Sequence, residues 1–464
     1  MMPRGACPES LPKPDVVDAT SRLQGHVRPL SPLQEGMYFH HLQVRNTVYL
    51  EQMTCEIRGP LDVDIATRVA ETLVREHEIL RTVFTIRPPK GLRQVILPYV
   101  RLDIECLDLR AAAEPDVAIE AILDREAACN LDLASAASRC KLLQLADETF
   151  VFLWTYHHII MDSWTLLMLQ EQFTQLYAAA LRGEPLRLEK QPRQYRDYVD
   201  WTLGETKVKA VAFWRGYLGR GRSRVPFELP LETIDQCIET TKADLKLSVL
   251  DRLDQLASLH KVTPNSVFLA AWCAYSLTRH GREEDVIGCV YANRLLPFRG
   301  AGSVAGLFVN SLPIRCARHS SAAEQIKAVH RHMMQWPGNG WLSLSEIMAT
   351  GGLTANDLSS LVNISIDQPR ISNTHTSTLP IEIDKIRYRE QAHFAVCLDV
   401  FLNRDNPSLA VRHDTRKGRW DASEVCDVLE DILAWFERTP DTSLRELVIS
   451  RAAQDLVAHT DFDF

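Results

Sequence analysis

No Cys-x-x-Cys pair occurs among the eleven cysteines of this 464-residue chain, which are scattered from Cys7 to Cys426. That absence excludes a zinc ribbon and a thioredoxin-type redox motif. The number is odd and most of these residues sit in apolar runs, as buried free thiols do, so a reducing cytoplasm is the expected location. Long hydrophobic runs are missing too. The longest, Val267 to Tyr275, falls far short of the ~20 residues that span a bilayer, so no membrane partner is expected. The opening Met1-Met2-Pro3-Arg4-Gly5 lacks the apolar core of a secretion signal, and none is expected. An excess of positive charge is also lacking. Lys and Arg number 52 against 60 Asp and Glu, for a net charge of −8, and the pI is near 6. This argues against a nucleic-acid partner, which a basic face would serve. With 20 glycines and 23 prolines the chain is neither collagen-like nor a disordered low-complexity polymer. What is present, 46% hydrophobic and 24% charged residues, suits a globular protein of two or three domains with a substantial core.

Residues 1–28 are polar and read as a loose arm. Apolar residues at helical spacing (Ile65, Val69, Leu73, Val74) predict a helix from Val63 to Glu78, followed by a strand from Ile79 to Ile86. A second amphipathic helix is predicted over Val117 to Asn130. Phe150-Val151-Phe152-Leu153-Trp154 reads as a buried strand, and Leu166 to Leu181 as a helix. The turn-rich, charged stretch 182–193 is the best internal boundary, giving an N-terminal lobe over 29–186 and a C-terminal lobe over 187–450, with a tail at 451–464. In the second lobe Leu247 to Leu259, Pro264 to Arg279 and Ser423 to Phe436 read as helices. Val286 to Tyr291, Phe308 to Ile314, Leu361 to Ile366, Phe394 to Leu402 and Leu409 to Val411 read as strands. The fold class is therefore α/β (α+β), in two mixed lobes of unequal length.

The stretch with the most chemistry is Tyr156-His157-His158-Ile159-Ile160-Met161-Asp162-Ser163-Trp164. Two histidines end an apolar strand, and an aspartate follows four residues after the second, at the start of a helix. A neutral imidazole near pH 7 can take a proton from an amine or hydroxyl nucleophile. The same pair also suits a structural role, with a ring hydrogen-bonded in the core, and the residues alone leave both readings open. His158 and Asp162 have the i, i+4 spacing of metal ligands, but no third ligand stands nearby, so no metal is expected.

The stretch resembles the His-His-x-x-x-Asp-Gly motif of condensation domains of nonribosomal peptide synthetases, relatives of chloramphenicol acetyltransferase. Further stretches resemble that family's motifs in order. They are Leu30-Ser31-Pro32-Leu33-Gln34-Glu35-Gly36-Met37; Arg75 to Phe84; Tyr195 to Trp201; Ala292-Asn293-Arg294 with Val304 to Arg315; and, loosely, Asn403-Arg404-Asp405 through Leu409. The resemblance runs from about residue 29 to about 450. It implies two acyltransferase-like lobes in a V-shaped pseudo-dimer with a central tunnel. Through the tunnel, carrier proteins present acyl or peptidyl groups on phosphopantetheine arms to an amine, or an alcohol, acceptor. No cofactor of the chain's own is implied, and the family expectation is a monomer.

By the same resemblance His158 is the catalytic histidine, as general base or as a positioning and stabilising group, whereas His157 and Asp162 are structural. Asp162 is expected to pair with an arginine, Arg294 first and Arg81 second. Trp164 is expected to pack at the tunnel, and Asn310 and Ser311 to lie at the crossover beside it. Tyr195, Tyr198 and Trp201 are expected to pack rather than react. The chain departs from the pattern at Ser163, where the family has glycine, and around Trp336 to Ile347, where the sixth motif is barely recognisable. The competing readings are a coenzyme-A-dependent O- or N-acyltransferase of the same superfamily and a non-catalytic recruitment domain. Such non-catalytic relatives lose the second histidine, and His158 is intact. An epimerisation domain is disfavoured by the Asn-Arg and Phe308-to-Leu312 segments, and a heterocyclisation domain by the two histidines. Neither an adenylation motif nor a carrier serine is found, so a free-standing enzyme or an excised domain is expected.

Overall fold

Residues 25–43, 49–100, 104–188, 193–204, 206–219, 238–318, 320–354, 357–365, 379–389 and 394–447 are described by a computed structural model. Most of the arm at 1–28 and all of the tail at 451–464 lie outside these residues.

In chain order the strands are β1 (His26–Arg28), β2 (Leu50–Arg58), β3 (Thr82–Arg87), β4 (Gly91–Ile96), β5 (Ile104–Asp108), β6 (Ser138–Ala146) and β7 (Thr149–His157). They continue with β8 (Ile238–Asp244), β9 (Glu284–Tyr291), β10 (Asn310–Ala317), β11 (Leu361–Ser365), β12 (Glu382–Arg389), β13 (Val396–Phe401) and β14 (Ser408–Asp414). The chain forms two compact units. The first comprises Met1–Gly204 with Phe298–Phe308 and Arg370–Gln391, and the second comprises Glu205–Pro297, Val309–Pro369 and Ala392–Phe464.

The first unit holds a three-stranded sheet in the order β1-β4-β3 and a five-stranded sheet in the order β12-β2-β7-β6-β5. Its principal helices are α1 (Pro32–Gln43), α2 (Val63–Glu76), α3 (Pro115–Ala128), α4 (Ser163–Leu181) and α5 (Tyr195–Thr202). Strand β7 is central because its sequence, rich in Phe, Trp, Val, Thr and Tyr, suits a pleated buried surface. Leu153 and Val151 pack with Leu143 of β6 and with Ile122 and Leu123 of α3, each such side chain stabilising the fold by about 1.5–3 kcal/mol. The paired strand β2 runs antiparallel to β7, with Leu50 opposite His157 and Glu51 opposite Tyr156.

The sequence places the lobe boundary at 186/187, whereas the compact units divide at Gly204. The reason is α5, which binds backward into the first unit. Gln194, just before it, donates to Glu76 O and accepts from Glu78 N, and Arg196 pairs with Glu78 at 2.9 Å.

The second unit is built on a six-stranded sheet, β10-β9-β11-β13-β14-β8. Its main helices are α6 (Thr206–Leu218), α7 (Leu247–His260), α8 (Pro264–Arg279), α9 (Ala322–Met333) and α10 (Ala422–Arg438). Helix α8 carries the longest apolar run of the chain, and Val267 to Leu277 are buried on every side, against α7, α9, α10, β9 and β10. The Thr263 side chain caps its start and Pro264 occupies the first turn, where no N–H is needed.

Candidate active site

Strand β7 ends at His157, a single 3-10 turn spans His158–Ile160, and α4 begins at Ser163. The turn is held from three sides. His158 N–H donates to Tyr49 O at 2.8 Å, Gln34 Nε2 donates to Ile159 O at 3.2 Å, and His157 N–H donates to Ala137 O at 2.9 Å. Gln34 lies in the Leu30–Met37 motif, so the opening motif acts as a strut beneath the histidine turn.

The two histidines are wired oppositely. His157 is buried, and its Nδ1 accepts from Ile159 N–H at 3.1 Å. Its ring lies edge-on to His41 (5.0 Å between centroids) and tilted against Tyr49 (5.9 Å). The His158 side chain keeps 19% of its surface exposed. Its Nδ1 lies 2.6 Å from Met161 O. A carbonyl only accepts, so Nδ1 carries the proton and the lone pair of the neutral ring is on Nε2. Of the pair, His158 alone combines a fixed tautomer with access from outside. Nε2 lies 3.7 Å from Glu51 Oε1.

The surrounding rings are uncharged near neutral pH. Burial lowers the pKa of His40, and also that of His41, where the Asp132 charge opposes it. Burial pushes the Tyr49 hydroxyl up to about 12. That hydroxyl is 3.1 Å from His40 Nδ1.

Asp162 is buried and is the N-cap of α4. Its Oδ1 accepts from Thr165 N–H and its Oδ2 from Phe308 N–H, both at 2.9 Å. Two neighbours grip the same Phe298–Phe308 segment. Trp164, half-exposed, donates its indole N–H to Gly302 O at 3.0 Å, and Thr165 Oγ1 donates to Gly306 O (2.8 Å) while accepting Gly306 N–H (3.0 Å). Tyr195 donates to Leu307 O at 2.8 Å, and the Tyr198 ring lies 4.4 Å from Phe308. Gly306 is required here. Its φ is +155°, and a Cβ would stand 2.0 Å from Tyr195 Cδ2.

Arg81, the second candidate partner for Asp162, instead faces Glu78 at 3.8 Å and donates to Leu97 O. Arg294 lies in the second unit and is buried. Ser163 is the first residue of α4 and is exposed, so a glycine conformation is not demanded there. Asn310 begins β10 within the second unit. Its amide donates to Gly340 O (2.8 Å) and Leu342 O (2.6 Å), and its Oδ1 accepts from Ser311 N–H (2.9 Å). It thereby fastens the segment in which the sixth motif is barely recognisable. Ser311 is half-buried and pairs with Val290.

Sequence reasoning missed Thr165 and Glu51. Thr165 sits beside the motif, but only its distant partner Gly306 gives it a role. Glu51 lies on β2, a strand that had not been expected. No group of three or more His, Cys, Asp or Glu side chains suited to a metal ion occurs among the described residues. Nor, among those residues, is any helix long and apolar enough to cross a membrane.

Comparison with known proteins gives a consistent result. A family model described as "Condensation domain" matches residues 24–457. Bacitracin synthase 3 of Bacillus licheniformis is 28% identical over 393 residues, 81% of this chain and 6% of that protein. Bacitracin synthase 1 of the same organism is 24% identical over 450 residues, 94% of this chain and 8% of that protein. The chain thus spans a small part of the length of these relatives. Among solved structures, the condensation domain from Monacolin K polyketide synthase MokA matches with a TM-score of 0.71 at 18% identity, covering 90% of this chain and 99% of that one. The first condensation domain of the CDA synthetase matches with a TM-score of 0.67 at 16% identity, covering 92% and 99%. At these identities the structural likeness speaks to the fold, which is the mixed α/β fold of those domains.

Proposed function

The chain belongs to the condensation-domain family, and from that premise we propose that it joins a carrier-bound acyl or peptidyl thioester to an amine, or a hydroxyl, acceptor, forming an amide or ester in the assembly of a nonribosomal peptide or hybrid product. The phosphopantetheine arm enters as part of the substrate. The observation that supports this reading best is the fixed tautomer of His158, with Nδ1–H on Met161 O and the Nε2 lone pair on a partly exposed edge. As the acceptor nitrogen or oxygen bonds to the thioester carbonyl carbon, its proton passes to Nε2. The tetrahedral species then expels the thiolate, which takes that proton, and the carbon–sulfur bond is broken. The thioester is already activated, so the step needs no ATP. Asp162 takes no part in proton transfer on this reading. It anchors the start of α4 and the Phe298–Phe308 segment, and so holds the turn that carries His158.

The test is intact-protein mass spectrometry of an acyl-loaded carrier protein incubated with the chain and a panel of amines and alcohols. Loss of the acyl mass with appearance of an amide or ester is expected. His158→Ala is expected to slow it at least ~100-fold, the low end for a general base, with the fold intact. Transfer from acyl-coenzyme A but not from the carrier would assign the chain to the coenzyme-A-dependent reading. A folded His158→Ala variant with full activity would remove His158 from the mechanism.

A further inference from the structure

Glu51 enters none of the motifs that carry the family resemblance, and the register of the site sheet brings it to His158. On the antiparallel β2–β7 pair Glu51 stands opposite Tyr156, so the two share a sheet face. His158, two residues beyond Tyr156, lies diagonally across from Glu51. The outcome is a carboxylate oxygen 3.7 Å from His158 Nε2, with the two side chains only 14% and 19% exposed. The far edge of the ring is tied to Met161 O, so the carboxylate stands at the edge where the reaction takes place.

Resting on the reading of His158 as the proton acceptor, we propose that Glu51 is a positioning residue that stabilises the His158 imidazolium and fixes the direction of its Nε2 edge during condensation. In the neutral ring Nε2 and Oε1 are both acceptors, and at 3.7 Å they do not bond. Once Nε2 has taken the acceptor's proton, an N–H⁺ faces an anion in a site that is largely shielded from water. An opposite charge at this range favours the charged form. Glu51 itself takes no proton, and the proton on Nε2 leaves with the thiol.

The other described groups of the first unit beside the turn are held in other ways. His157 lies beside it on β7, turned toward His41 and Tyr49. His40 and His41 of α1 are held neutral by burial, and Tyr49 is held protonated. Both oxygens of Asp162 accept backbone N–H groups.

The experiment uses the full chain with histidine-¹⁵N labelling. The His158 ring, assigned by its loss in His158→Ala, is titrated by NMR in the wild type, Glu51→Gln and Glu51→Asp. In parallel, single-turnover acyl transfer from a loaded carrier and the carrier Kd are measured. Glu51→Gln is expected to lower the His158 midpoint by about one pH unit and to slow transfer about tenfold, with Kd and melting temperature unchanged. Glu51→Asp is expected to fall between the two. An unmoved His158 midpoint in Glu51→Gln overturns the proposal whatever the rate does, and so does a moved midpoint with an unchanged rate. A folded His158→Ala variant with full activity would instead overturn the reading of His158 on which the proposal rests. If Glu51→Gln does not fold, Glu51→Asp decides by the same midpoint and rate.

Discussion

Replacing Asp162 by alanine removes one carboxylate and leaves two backbone N–H groups without their acceptor. Thr165 N–H loses the cap of α4, and Phe308 N–H loses the bond that fixes the end of the Phe298–Phe308 segment. Both bonds are buried. A buried donor left unsatisfied costs about 1–3 kcal/mol, and the loss of an N-cap alone costs about 1 kcal/mol. Because the Thr165 bond is the cap, the two estimates overlap, and the sum is about 2–5 kcal/mol. For a domain of 150–250 residues that corresponds to a fall in Tm of roughly 5–15 °C. The damage reaches the site through one residue, since Met161 precedes Asp162 and its carbonyl holds His158 Nδ1. On the proposed reading of His158, acyl transfer from a loaded carrier is therefore expected to fall at least ~100-fold, because the His158 ring loses its orientation. Asp162→Asn separates the two bonds. Its amide oxygen can still cap α4, but its NH₂ then faces the Phe308 N–H, donor against donor, so about half of the destabilisation is expected. The assay is differential scanning calorimetry beside single-turnover transfer for both variants. An Asp162→Ala protein with unchanged Tm and lost activity would refute the anchoring account and assign the carboxylate to the reacting atoms.

Ser163→Gly is expected to change the transfer rate by less than about twofold, since Ser163 is an exposed first-turn residue in helical conformation; a tenfold loss in a folded variant would give the hydroxyl a role in catalysis. His332 of α9 supplies a pH dependence. Burial pulls its pKa down to about 3, with Pro313 O opposing, and its ring is stacked on Tyr217. Its folded pKa lies below its unfolded one, so the stabilisation is fully present above about 6.5. It is lost as the pH falls toward 3, by up to about tenfold in the folding constant per unit. His332→Phe is expected to flatten that part of the stability profile of the second unit, as read by urea unfolding between pH 4 and 7, and an unchanged slope would show that His332 is not the group responsible.

The location of His158 was legible because β7 announces itself. A run of β-branched and aromatic residues ends in two histidines, and an Asp at the next helix start is a capping signal in its own right. Helix α8 was legible to the residue for a similar reason, with Pro264 just inside its start and an unbroken apolar run after it. Other elements were hidden by chemistry that acts at a distance. Ile79 to Ile86 reads as one strand, yet Glu78–Arg81 winds into a 3-10 turn, with the Thr82 hydroxyl bonded to Glu78 O. Phe308 reads as the start of a strand, yet β10 begins at Asn310, and the Phe308 N–H goes to Asp162. Strand β12 carries Glu382, Asp384, Lys385, Arg387 and Arg389, which no apolar pattern would mark as a strand. It is an edge strand held to β2 by main-chain pairing and by Lys385–Glu56 at 2.7 Å, and edges tolerate such charge.

The site was only half readable because its supports come from distant parts of the chain. His158, which keeps 19% of its side-chain surface exposed, stands in a local motif. The turn that carries it and the segment packed beside that turn are held by Gln34, Thr165, Tyr195 and Gly306, which lie far apart in sequence. Gln34, Tyr195 and Gly306 stand in stretches that carry the resemblance, yet what each of them holds shows only once its partner is known. Gln34 needs Ile159 O, Thr165 needs Gly306, and Gly306 needs the face of Tyr195. It follows that substitutions at such partners should act through the turn at His157–Asp162 rather than on the substrate. Their effects on transfer should be strongly non-additive with Asp162→Ala, because they break one connected network. Thr165→Val makes the point directly. It removes both bonds to Gly306 and keeps the shape, so in the wild-type background it should lower Tm and transfer together, whereas in the Asp162→Ala background, where the segment is already released, it should add little.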